Sequence, residues 1–87
     1  NLIYYYVYML KKLKGFKKKT YVGYTSNLEN RLNKHNSSKG AKATRGYKWK
    51  IIFSKKFKSK SNALSYEYFL KKNRKKRASI IESSINE

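Results

Sequence analysis

Two hydrophobic periods alternate along the chain. Residues 3–10, IYYYVYML, are β-branched and aromatic and predict a first strand. KTYVGY at 19–24 predicts a second. The basic stretch KKLKGFKKK between them, with Gly15 as its turn residue, makes a hairpin the simplest connection. Gly23 inside the second strand predicts a bulge or a close backbone approach. The period then lengthens. In TSNLENRLNKHN, Ser26 with Glu29 three residues on matches a capping box, which predicts a helix over about 27–36 with Leu28, Arg31, Leu32 and His35 on one face. SSKGAKATRGYK, 37–48, lacks apolar periodicity and is expected to be a mobile basic loop. WKIIFSKKF predicts a third strand, SKSNALSYEYFLKK a helix over about 59–72, and NRKKRASIIESSINE a further helix whose apolar face is Ile80, Ile81 and Ile85.

The expected fold class is therefore α/β in the broad sense (α+β), a small central three-stranded sheet, antiparallel or mixed, flanked by helices in the order β-β-α-β-α-α. A chain of 87 residues suits one domain, spanning 1–87.

Charge changes the picture more than length does. The formal net charge is +19, from 23 Lys and Arg against four Glu and no Asp, and such a field makes nucleic acid the expected partner. The abundance of Lys, Asn, Ile and Tyr also fits a coding sequence biased toward A and T, so charge alone does not establish the partner. With 39% apolar and 16% aromatic residues the chain can nonetheless build an ordered core, unlike a polybasic tail. No stretch approaches a membrane span, so an intracellular protein without a membrane partner is expected. The absence of Cys excludes disulfides, thiol nucleophiles and thiolate zinc sites.

Elimination narrows the chemistry. The carboxylates are Glu29, Glu67, Glu82 and Glu87, and His35 is the single histidine, so a two-metal phosphodiesterase built on clustered carboxylates is not expected. One metal on one Glu is the most the chain can offer. A Ser-His-acid triad lacks its G-x-S-x-G elbow.

Five segments, in order, resemble the GIY-YIG nuclease domain. They are YVY at 6–8, YVG at 21–23, NLENRLNKH around Arg31, the loop SSKGAKATRGYKW, and NALSYEYFLKK around Glu67. The loop is similar to that of small members related to the nuclease domain of the repair protein UvrC. The resemblance covers residues 3 to about 77; the first half-motif has Tyr6 where the family has Gly, and neither Asn73 nor Asn86 takes the place of the Asn that some members use late in the domain. It implies an endonuclease, in repair or recombination, that hydrolyses nucleic acid with one Mg²⁺ or Mn²⁺ ion. On it, Tyr8 and Tyr21 flank the attacking water, Arg31 and His35 lie on the catalytic helix, and Glu67 binds the metal.

Each of these residues also has a plainer reading. Tyr8 and Tyr21 are sheet aromatics unless cations such as Arg31 or the metal depress a phenol that ordinarily titrates near pH 10. Arg31 has the fork geometry that suits a phosphate, and His35, four residues on, becomes a proton relay or phosphate ligand beside it. Glu67 could simply pair with Lys71, yet its neighbours Ala63, Leu64 and Leu70 make a partly apolar surround in which a carboxylate asks for a partner. Glu29 is accounted for by the capping box, and Glu82 and Glu87 have no catalytic neighbours in sequence, which leaves Glu67 as the metal candidate. Lys39, Lys42 and Arg45, on a loop whose Gly40 and Gly46 permit close approach, are expected to grip the backbone near the cut. Lys71, Lys72 and Arg74, within the cluster KKNRKKR, are expected to form a solvated surface facing nucleic acid. A monomer or weak dimer acting on DNA is the expected state, and a binding module of the same fold without catalysis is the alternative.

Overall fold

A computed structural model describes residues 3–13 and 19–85. Strands β1 (Tyr5–Lys12), β2 (Thr20–Thr25) and β3 (Trp49–Phe57) form one sheet in the order β2-β1-β3, and both pairings are antiparallel. Helices α1 (Leu28–Asn36), α2 (Lys60–Lys72) and α3 (Arg74–Ile85) complete the expected order β-β-α-β-α-α. The turn expected at Gly15 lies outside the described residues.

The unbroken apolar run of β1 is explained by its central place. Val7 and Met9 point to one side, into a core with Val22, Ala63, Leu70 and Ile80; Tyr8 and Leu10 point to the other, with Trp49, Leu28 and Leu32. A strand covered on both faces has no position to leave polar. Helices α2 and α3 thus cover one face and α1 the other. At Gly23, where a bulge or a close backbone approach is expected, the β1–β2 register is regular. The bulge of this sheet is on β3: Met9 pairs with Phe53 and Leu10 with Ile51, so Ile52 is the extra residue, and it joins Phe53 against the same core cluster.

Three local expectations are corrected. Helix α1 is capped by Asn27, whose side chain accepts the Asn30 N–H at 3.0 Å, and not by a Ser26–Glu29 box. Thr25 Oγ1 accepts the Asn27 N–H at 3.1 Å, and Glu29 remains in the first turn, where a negative charge is favoured. The segment 37–48 is not a structureless loop, because a 3₁₀ turn at Lys42–Thr44 buries Thr44 and the Trp49 indole N–H donates to the Thr44 carbonyl at 3.0 Å. On α3, Ile80 is buried and Ile81 is partly so, but Ile85 is 58% exposed at the end of the helix and adds nothing to the core.

The break between α2 and α3 is set by Asn73. It leaves the helical region (φ −102°, ψ 91°), and its side chain accepts the Lys76 N–H at 2.9 Å, which starts α3. Arg77 folds back to donate to the carbonyls of Leu70, at 2.8 Å, and Lys71. One cation of the cluster expected to face nucleic acid is therefore committed to sealing a helix end.

Candidate nuclease site

The middle of β1 and the last turn of α1 meet on the α1 side of the sheet. Tyr8 Oη and His35 Nε2 are 2.8 Å apart, and His35 Nδ1 is 2.8 Å from Thr44 Oγ1. The direction of every bond in this chain follows from its far end. Thr44 Oγ1 lies 2.8 Å from the Ala41 carbonyl, which can only accept, so the hydroxyl hydrogen is used there. Thr44 must then accept from Nδ1–H, Nε2 carries the lone pair, and Tyr8 O–H donates to it. Arg31 completes the set from α1, its Nε–H donating to Tyr8 Oη at 3.4 Å. Both ring nitrogens of a fully buried histidine are thereby satisfied.

Two glycines make room for this arrangement. A Cβ on Gly23 would stand 2.6 Å from Tyr8 Oη, and one on Gly40 would stand 2.6 Å from His35 Nδ1. Gly23 pairs directly with Tyr8 across β1 and β2, so its bare Cα lets the phenol lie over β2. The close approach expected at Gly23 is present, made by a side chain. The space at Gly40 is filled by the His35 ring, while Gly46 has nothing near the position a Cβ would take.

Electrostatics set the protonation states. Burial lowers the His35 pKa from 6.5, and the Arg31 charge lowers it further, so the ring is neutral at neutral pH, as the bond directions require. Burial also raises the Tyr8 pKa above 10.0. Arg31 opposes that through its hydrogen bond and its charge, but does not overcome it. For this phenol desolvation exceeds the effect of one cation. Tyr8 holds its proton, and the lone pair of His35 is where that proton can go. The Arg31 pKa is raised, first by the hydrogen bond to Tyr8, and Tyr21 adds to the effect.

Of the residues singled out in sequence, Tyr8, Tyr21, Arg31 and His35 come together. The Tyr21 ring is centred 5.0 Å from that of His35 and 6.4 Å from that of Tyr8. Glu67 stands further off, close enough for its charge to raise the Tyr8 pKa, while its nearest charged partner is Lys71 Nζ at 3.5 Å. Lys39, Lys42 and Arg45 are exposed on the segment that carries Thr44. Lys71, Lys72 and Arg74 are exposed along α2 and the start of α3, and Lys72 Nζ lies 5.3 Å from the Tyr68 ring centre. Asn73, the late asparagine, is occupied as the cap of α3, and Asn86 lies outside the described residues.

Sequence reasoning missed Thr44, Ala41 and Asn36. Asn36 at the end of α1 clasps β3 at Trp49, accepting the Trp49 N–H at 2.6 Å and donating to its carbonyl at 3.1 Å, which fixes the helix against the sheet. The signal for Thr44 was present: a histidine on an apolar helix face needs a partner for each nitrogen, and the following loop supplies the hydroxyls within reach.

Residues 4–79 match the family of the GIY-YIG catalytic domain, and the chain belongs to that family. Among its relatives are UPF0213 proteins. One from Clostridium perfringens is 42% identical over 85 residues, covering 94% of this chain and 88% of that protein. One from Oceanobacillus iheyensis is 50% identical over 52 residues, 59% of this chain and 60% of that protein. The solution structure of a UPF0213 protein from Bacillus halodurans superposes with a TM-score of 0.50 at 33% identity, over 93% of this chain and 84% of that one. The family is one of nucleases, which makes nucleic acid the class of substrate to consider. Among the described residues no helix is long and apolar enough to cross a membrane.

Proposed function

We propose that the chain is an endonuclease that hydrolyses a phosphodiester bond in nucleic acid, DNA in the first instance, with one Mg²⁺ or Mn²⁺ ion held on Glu67. The observation that carries this reading is the hydrogen-bond chain from Arg31 through Tyr8 and His35 to Thr44 and the Ala41 carbonyl. A protein that only binds phosphates needs exposed cations. It has no use for a buried phenol with a neutral base behind it.

The arrangement supplies a proton path. A water proton passes to Tyr8 Oη while the Tyr8 proton passes to His35 Nε2; the water oxygen bonds to phosphorus as the bond to the leaving oxygen breaks, and that oxygen takes a proton from solvent water. The high pKa of Tyr8 makes its oxygen basic once its own proton is drawn away. Arg31, oriented by Tyr8, stabilises the charge that builds on the phosphate, and Tyr21 closes the other side of His35. The exposed cations Lys39, Lys42 and Arg45, and Lys71, Lys72 and Arg74, are the groups for holding the nucleic-acid backbone.

Among the described residues no three metal-ligating side chains gather. Glu67 alone, its side chain 17% exposed, suits a hard cation that takes its remaining ligands from water and phosphate. Its pairing with the half-exposed Lys71 is of the kind worth about 0.2–0.5 kcal/mol, weak enough to yield to a divalent ion. A bound ion there supplies charge neutralisation at the phosphate. The test is cleavage of nicked, branched, single-stranded and plain duplex substrates with Mg²⁺ or Mn²⁺ and with chelator. Glu67→Gln should abolish metal-dependent cleavage and leave nucleic-acid affinity within about twofold; equal cleavage by the variant would remove Glu67 from the reaction.

The second reading is a binding module of the same fold. The Glu67–Lys71 pair and the exposed cations favour it. A protein that binds all four substrates and cuts none would establish it.

A further inference from the structure

Beside the catalytic cluster lies a groove of about 470 Å³ that the hydrogen-bond chain does not use. Four elements build it. Tyr5 on β1 and Tyr24 on β2 line it, both half-buried and packed in part against the core cluster of Val7 and Met9, with Asn27 and Asn30 at the start of α1. Arg31 and Lys34 come from α1 and Lys60 from the first turn of α2. Arg31 thus belongs to both places: its Nε–H reaches Tyr8, and it also borders the groove.

The lining describes its occupant. It presents three cations and no carboxylate, so the ligand is anionic. Two tyrosine rings offer a face for a flat, unsaturated group, since aromatic side chains stack nucleobases whatever their identity. Among the described residues the side-chain amide of Asn30 has no hydrogen-bond partner, while that of Asn27 uses only its oxygen, on the Asn30 N–H. One complete amide and one NH₂ therefore face the groove with donors and an acceptor to spare, the groups that pair with a base edge. Among the described residues neither Lys34 nor Lys60 has a carboxylate partner.

We infer that this groove is a nucleotide subsite: it seats the base and phosphate of the residue next to the scissile phosphate, with Arg31 at the junction between subsite and cut. The inference rests on the nuclease reading for the place of the cut, but the occupancy of the groove does not depend on cleavage. Its consequence is that the nucleotide beside the cut must leave any base stack to enter. Nicked, branched or single-stranded substrates, whose bases are already free, are then preferred over plain duplex.

The test is binding by nuclear magnetic resonance with chelator present, so that no cleavage occurs. The probes are thymidine 3′,5′-bisphosphate and its abasic analogue, a deoxyribose carrying the same two phosphates. The subsite predicts that the base-bearing probe binds at least tenfold tighter and shifts the side-chain amide signals of Asn27 and Asn30. It also predicts that Asn30→Ala, at an exposed helix position, reduces that binding about five- to thirtyfold while the abasic probe is unaffected. Lys60→Ala should weaken both probes alike. Equal affinity for the two probes, or shifts confined to the Tyr68–Phe69 surface of α2, would overturn the assignment. Because nothing is cut, an inactive protein that still distinguishes the two probes retains the subsite and loses only the nuclease reading. An active protein that cannot distinguish them loses only the subsite.

Discussion

His35 is fixed in one tautomer by a residue nine positions away. The Ala41 carbonyl takes the Thr44 hydroxyl hydrogen, Thr44 takes Nδ1–H, and Nε2 is left to accept from Tyr8. Thr44→Val keeps the shape and removes the acceptor, so Nδ1–H is left buried and unpaired at a cost of about 1–3 kcal/mol. Urea unfolding should show that loss, and cleavage should fall with it; Thr44→Ser, which keeps the hydroxyl, should restore both. A Thr44→Val protein as stable and active as wild type would mean that the tautomer is not held this way.

The same burial makes stability depend on pH. The folded pKa of His35 is lowered from 6.5, so between the folded value and about 6.5 the unfolded chain binds more protons than the folded one. Stability from this group is therefore full above pH 6.5 and is lost as pH falls through the folded pKa, where protonation also removes the acceptor of Tyr8. Denaturation midpoints at pH 7.5 and 5.0 should fall accordingly, and the difference should shrink in His35→Gln. Tyr8, Arg31 and His35 could be named from sequence because residue type and order carry them. For Thr44 the sequence showed only the need for a hydroxyl near His35; which one supplies it is decided by the turn at Lys42–Thr44, which no periodicity announces.

Helix α1 presents Arg31 and His35, and its start is set by Asn27. Arg31 and His35 lie one turn apart, so both reach Tyr8 only if the helix begins where Asn27 caps it. Asn27→Ala should cost about 1 kcal/mol, whereas Ser26→Ala should cost little, and thermal unfolding of the two variants distinguishes the observed cap from the one expected in sequence. Strand and helix order were legible throughout because each element carries its own period. The cap was not, since Thr25, Ser26 and Asn27 are all competent there, and the choice depends on Thr25 Oγ1 taking the Asn27 N–H. The reading at Gly23 stayed open for a related reason. Gly23 signals a close approach, but whether a bulge or a neighbouring phenol fills the space is decided by the partner strand.

The net charge of +19 is spread over nearly every element, and sequence alone could not separate cations that meet solvent from those used internally. Arg77 is spent on the end of α2 and Arg31 on Tyr8, while Lys39, Lys42, Arg45 and Arg74 remain exposed. This division distinguishes binding from catalysis. On the proposed reading, removing an exposed cation weakens attraction to phosphate wherever it lies, whereas removing Arg31 leaves most of the field in place and takes away the group proposed to meet the phosphate.

The most direct measurement is therefore the single-turnover cleavage rate at saturating nucleic acid, for wild type and Arg31→Ala, with Mg²⁺ or Mn²⁺. Saturation removes differences in affinity from the comparison. The account predicts a rate about 10²–10³ lower for Arg31→Ala, the loss associated with one preorganised donor, with nucleic-acid binding retained. Equal rates for the two proteins, or no cleavage by wild type above the Arg31→Ala background, would contradict it.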